Sequence, residues 1–112
     1  MNDIFILIGP TASGKSNLAI KLVNKFPFEI INADLFSMYR ELSIGTAKPS
    51  KEELNKYKHH LINILEPTMQ YNVSQYCVDA KKCIRQILSS NKIPLITGGS
   101  MMYVYQLSLI HI

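Results

Sequence analysis

With 112 residues, 47% of them hydrophobic and 18% charged, the chain has the balance of one small globular domain, which excludes a disordered or low-complexity segment. It is short for an α/β enzyme that holds two substrates, so a fragment of a longer enzyme is expected. A net charge of +4 favours anionic partners without naming one, and no apolar run approaches a bilayer span, so no membrane partner is expected.

The run Ile4-Phe5-Ile6-Leu7-Ile8 is continuously apolar and predicts a strand covered on both faces in a parallel sheet. It lacks the basic flank of a secretory leader and stops at Gly9, so a cytoplasmic protein is expected. Leu18, Leu22 and Phe26, with Ala19 and Val23 beside them, predict a helix beginning near Gly14 and ended by Pro27. Phe28 to Ala33 reads as a second strand. From Asp34 to Ser50 the pattern is irregular, with a short helix around Phe36 to Glu41, and long loops of this kind carry function in compact enzymes.

Lys51 to Tyr57 predicts another short helix, and His60 to Leu65 a third strand before Glu66-Pro67. Ser74 is the expected N-cap of a helix whose apolar face is Tyr76, Cys77, Ala80, Cys83, Ile84, Ile87 and Leu88. Cys77 and Cys83 fall about 9 Å apart along that helix, beyond disulfide reach, and are expected as reduced, buried thiols. His59-His60 has no second ligand cluster in register, so a metal held wholly by protein groups is not expected. Ile93 to Thr97 is a strand ending in Gly98-Gly99, and a last helix is expected from near Met101. The alternation of strands and helices predicts a three-layer parallel α/β sheet that collects ligands at the carboxyl ends of its strands.

Gly9-Pro10-Thr11-Ala12-Ser13-Gly14-Lys15-Ser16 fits G-x-x-x-x-G-K-[ST] and lies between an apolar strand and a helix, the context that gives this P-loop motif its meaning. Its glycines let successive backbone N–H groups point inward at phosphate oxygens. Lys15 adds a full charge, and Ser16 can hold Mg²⁺. The motif names a phosphate and not the molecule that bears it. Asp34 follows the second strand at the ligand-collecting edge, where a carboxylate can serve as a general base or bind Mg²⁺ through water. Gly98, Gly99 and Ser100 reach the same edge. There the glycines would admit a ligand close to the backbone, and the Ser100 hydroxyl could donate to a phosphate; a simple turn before a helix is the other reading.

The P-loop, Ile31-Asn32-Ala33-Asp34, Tyr39-Arg40 leading to Ile44-Gly45-Thr46-Ala47-Lys48-Pro49, and His59-His60-Leu61-Ile62-Asn63-Ile64 occur in fixed order. Together they resemble the tRNA dimethylallyltransferase (isopentenyltransferase) family. Ser74 to Ala80 and Gly98-Gly99-Ser100 with Tyr103 extend the likeness over about residues 4 to 106. The resemblance implies a fold of the P-loop NTPase type, incomplete here, and transfer of a dimethylallyl group from its pyrophosphate to N6 of an adenine beside the tRNA anticodon. It implies that Gly9 to Ser16 bind the donor, with Mg²⁺ shared between Ser16 and the pyrophosphate. Asp34 would be the base, Lys15 and Ser100 would stabilise the leaving pyrophosphate, and Asp34, Leu35, Phe36, Ser37 and Ser100 would touch the tRNA.

The family pattern has Ser, an apolar residue and Gln after the acid, where this chain has Leu35-Phe36-Ser37. That change weakens the RNA contacts expected at Leu35 and Ser37. Ser100 stands where Thr is usual and keeps the hydroxyl. Residues 1–106 are therefore expected to be the catalytic core of a longer enzyme, residues 107–112 an atypical terminus, and the protein a monomer. A small-molecule or nucleotide kinase would use the same nest for ATP and Asp34 for an acceptor hydroxyl. A phosphate-binding module without catalysis is the third reading.

Overall fold

The computed structural model describes residues 4–8, 15–40 and 49–98. Strands β1 (Phe5–Ile8), β2 (Phe28–Asn32), β3 (His59–His60) and β4 (Ile93–Gly98) form one sheet in the spatial order β1-β4-β2-β3, and every pairing is parallel. Because β4 lies between β1 and β2, the last strand in the described chain is central. Its residues Pro94, Leu95 and Ile96 are buried, as a strand with neighbours on both sides requires.

Alternation along the strands divides the core. Phe28, Ile30 and Leu95 pack with Ala19 of helix α1 (Lys15–Lys25) on one face. Ile31, Ala33 and Ile96 pack on the other face with Tyr76, Ala80, Ile84 and Ile87 of helix α4 (Val73–Ser89). Truncating a side chain as enclosed as Ile31, which is 0% exposed, costs about 2–5 kcal/mol. The outcome is the expected layering of helix, sheet and helix. Helix α2 (Leu35–Met38) and helix α3 (Lys51–Lys56) are short connections beyond β2. Among the described residues, no helix is long and apolar enough to cross a membrane.

Several elements differ from expectation. β1 is not covered on both faces: Phe5 and Ile6 are about half exposed, and β4 is the strand's one neighbour among the described residues. Leu18 and Phe26 of the expected α1 stripe are exposed as well, and the side that meets the sheet is Ala19, Leu22 and Val23. Phe26 and Phe5 instead meet Phe28 edge-on, with ring centroids 6.0 Å and 5.2 Å away, a favourable aromatic geometry at the rim of the layer.

The third strand is two residues long and does not extend to Leu65, because Leu61 (φ 65°) and Asn63 (φ 57°) are left-handed and turn the chain out of the sheet. The N-cap of α4 is Asn72 and not Ser74. Its Oδ1 accepts from the Gln75 N–H at 2.8 Å, while Gln75 Oε1 accepts from the Asn72 N–H at 2.9 Å, a reciprocal capping box. Cys77 and Cys83 are free thiols buried on the inner face of α4, and burial raises both thiol pKa values. The helix expected from Met101 lies outside the described residues.

Candidate active site

On β2, residues 28, 30 and 32 face α1, and beyond the strand end the same parity brings Asp34 to that side. The backbone stays in register past Asn32, because the Ala33 N–H donates to the Thr97 carbonyl at 2.7 Å. Gly98 then lies directly against Ala33. An ideal Cβ on Gly98 would sit 2.4 Å from the Ala33 carbonyl carbon. The group that the missing side chain admits at Gly98 is therefore the neighbouring strand; the expectation of a ligand there does not account for this glycine.

Immediately after Asp34 the chain turns into α2, with the Ser37 N–H donating to the Asp34 carbonyl at 3.1 Å. The segment after β3 runs alongside and holds α2 in place. The Asn63 N–H donates to Ser37 O at 3.1 Å, and the N–H groups of Ile64 and Leu65 donate to Met38 O at 2.8 Å and 2.9 Å. Tyr39 bridges to Leu65, and its hydroxyl donates to Met69 O at 2.7 Å.

Between α1, the carboxyl ends of β2 and β4, and α3 lies a cleft. Its apolar wall is Ala19, Ile20, Ile30 and Ile62, and its polar rim is Asn32, Asp34, Ser37, Glu53, His59 and Thr97. A cleft that sets apolar side chains beside several polar groups can meet a ligand that is part hydrocarbon and part polar. His59 Nδ1 lies 2.8 Å from Tyr57 O, and since a carbonyl only accepts, Nδ1 carries the proton. Burial lowers the His59 pKa, against smaller upward effects of that hydrogen bond and of Glu53. The adjacent His60 faces the other side of the sheet, where its Nε2 meets Glu29 Oε1 at 2.7 Å and Lys92 Nζ lies 3.7 Å from Glu29 Oε2.

Asp34 and Ser37 thus share the cleft, and Ser37 is almost wholly buried. Leu35 packs partly buried against the α4-side core, and Phe36 belongs to α2. Lys15 and Ser16 are the first residues of α1, the helix that flanks the cleft. Gly9 to Gly14, Ile44 to Lys48, Gly99, Ser100 and Tyr103 lie outside the described residues. Sequence reasoning gave no role to Glu53 or Thr97, read Asn32 and His59 only as members of motifs, and set His59 aside as a metal ligand. Asn32 carried a usable signal, as the one polar residue in the apolar run Phe28 to Ala33 apart from Glu29 near its start.

A profile of the IPP transferase family matches residues 37–110. The tRNA dimethylallyltransferase of Legionella pneumophila (strain Corby) is 49% identical over 100 residues, which cover 89% of this chain and 32% of that protein. The crystal structure of the tRNA delta(2)-isopentenylpyrophosphate transferase of Staphylococcus epidermidis superposes with a TM-score of 0.84 at 37% identity, covering 94% of this chain and 35% of that one. A eukaryotic dimethylallyltransferase captured acting on tRNA superposes with a TM-score of 0.87 at 30% identity, covering 93% of this chain and 26% of that one. The chain spans about a third of the length of the curated relatives it matches. Its parallel sheet has the P-loop NTPase-like arrangement of these structural neighbours. By profile, by identity and by superposition, the chain belongs to the IPP transferase family.

Proposed function

We propose that this chain carries the donor-binding and proton-accepting part of a tRNA prenyltransferase. The reaction moves the dimethylallyl group of dimethylallyl pyrophosphate to N6 of an adenine beside the anticodon, in the cytoplasm where its tRNA substrate lies. The observation that carries the reading is the position of Asp34: a carboxylate at the end of β2, on the rim of a partly apolar cleft whose other wall is the helix that follows the P-loop sequence. The relatives and structural neighbours named for this activity support the same reading.

In the proposed reaction the adenine N6 lone pair forms the bond to the allylic C1. The C1–O bond breaks, and its electron pair leaves with pyrophosphate. Asp34 accepts the N6 proton, which the new C–N bond makes acidic. The P-loop N–H groups, Lys15 and Ser100 stabilise the charge that grows on the leaving group. Among the described residues no three His, Cys, Asp or Glu side chains form a group that could hold a metal ion. Mg²⁺ shared between Ser16 and the pyrophosphate would neutralise part of that charge. Leu35, Phe36 and Ser37 follow the base; with Leu35 packed against the α4-side core and Ser37 almost wholly buried, Phe36 is the proposed tRNA contact among them. The adenine must leave its stack, at a cost of about a few kcal/mol, least in a single-stranded loop.

Calorimetry of the 112-residue chain with Mg²⁺ and either dimethylallyl pyrophosphate or ATP tests the donor assignment. Tighter binding of the prenyl pyrophosphate is expected; preference for ATP would assign the site to a kinase.

A further inference from the structure

Asn32 is the last residue of β2 and is 5% exposed, and all three hydrogen-bonding capacities of its amide that the fold can use are directed at backbone. Its Oδ1 accepts from the Asp34 N–H at 3.1 Å. Its Nδ2 donates to Asp34 O at 2.8 Å and to Leu61 O at 3.0 Å. One planar amide therefore grips both ends of the Asp34 residue and ties them to the left-handed turn 29 positions further along the chain. The pattern requires one acceptor and two donors in a plane, which among side chains of this length is met by asparagine alone.

We infer that Asn32 is a positioning residue for Asp34, setting the backbone from which the carboxylate enters the cleft. The inference rests on the reading of Asp34 as the base. Its physical ground is that β2 ends at Asn32, so the sheet ladder no longer sets the Asp34 backbone; the Asn32 amide holds the Asp34 N–H and shares its C=O with the Ser37 N–H. Holding the N–H and the C=O through one planar group restricts rotation about φ and ψ at Asp34. A general base displaced by about 1 Å loses on the order of a hundredfold in rate. Among the described residues, the other titratable groups at this rim are Glu53 from α3 and His59 from β3; β4 presents Thr97 and Gly98, and α1 presents Ala19 and Ile20, none of which carries a titratable side chain.

The test places this chain in the L. pneumophila relative in exchange for its matching residues and measures prenyl transfer to an anticodon stem-loop RNA. Asn32→Ala should lower kcat by about a hundredfold while KM for dimethylallyl pyrophosphate stays within about twofold. Asn32→Ser keeps one acceptor for the Asp34 N–H and should recover about tenfold of that loss. Asn32→Asp keeps the shape but adds a like charge two residues from Asp34, and should move the acid limb of the pH–rate profile to higher pH. A merely structural role would lower thermal stability and leave kcat per folded molecule unchanged in the Ala and Ser variants.

The inference is overturned if Asn32→Ala keeps kcat within twofold, or if kcat and donor affinity fall together. Should the Ala variant not fold, the Ser and Asp variants decide by the same two readouts. Asp34→Ala, run alongside, separates the two claims. Transfer surviving in Asp34→Ala sinks the proposed function. Transfer lost there but normal in Asn32→Ala sinks only the positioning role.

Discussion

Gly98 and Ala33 meet backbone to backbone: a Cβ on Gly98 would lie 2.4 Å from the Ala33 carbonyl carbon and 2.5 Å from its oxygen. Both contacts are with main chain, so no side-chain rotation relieves them. The register of β4 against β2 is held just here by the Ala33 N–H to Thr97 O bond, and Asp34 is the next residue. Gly98→Ala should therefore destabilise the fold by about 1–3 kcal/mol, as overpacking does, and displace Asp34 as it does so. Urea denaturation together with transfer kinetics checks this; a variant with unchanged midpoint and kcat would contradict the contact.

Asn72 and Ser74 offer a sharper comparison, since both are good capping residues and only one caps. Asn72→Ala removes the acceptor of the Gln75 N–H and should cost about 1 kcal/mol, whereas Ser74→Ala, inside the exposed first turn, should cost less than about 0.5 kcal/mol. Equal effects in denaturant titrations would contradict the assignment.

His59 gives a pH dependence with a definite sign. Burial holds its pKa below the ordinary histidine value in the folded chain, so the unfolded chain binds the proton more readily. Its contribution to stability is fully present above the unfolded pKa of about 6.5. It is lost progressively as pH falls below that value towards the lowered folded pKa. His59→Gln should flatten the fall in stability between about pH 7 and pH 5 relative to the parent. Parallel stability curves for the two proteins would contradict it.

How far the fold could be read from sequence follows from what each feature depends on. The apolar runs Ile4 to Ile8, Phe28 to Ala33 and Ile93 to Thr97 are local signals, and all three became strands. The inner face of α4 was legible because Tyr76, Ala80, Ile84 and Ile87 repeat at helical spacing. The strand expected over His60 to Leu65 failed because positive φ at Leu61 and Asn63 is not marked by glycine. Exposure at Phe5 and Ile6 depends on which strand takes the edge, a matter of sheet order that composition does not carry. In the site, Asp34 was legible from its place after a strand. The grip of Asn32 was not, because its third hydrogen bond goes to Leu61, and no local pattern links the two.

The central claim is that Asp34 takes the proton from the adenine amine and does not hold the donor. The most direct measurement is Asp34→Ala in the L. pneumophila background, with prenyl transfer and dimethylallyl pyrophosphate affinity determined on the same preparation. The account predicts transfer reduced at least about a thousandfold, as loss of a general base entails, with donor affinity unchanged within about twofold. Transfer at the parental rate, or loss of donor binding along with it, would contradict that role.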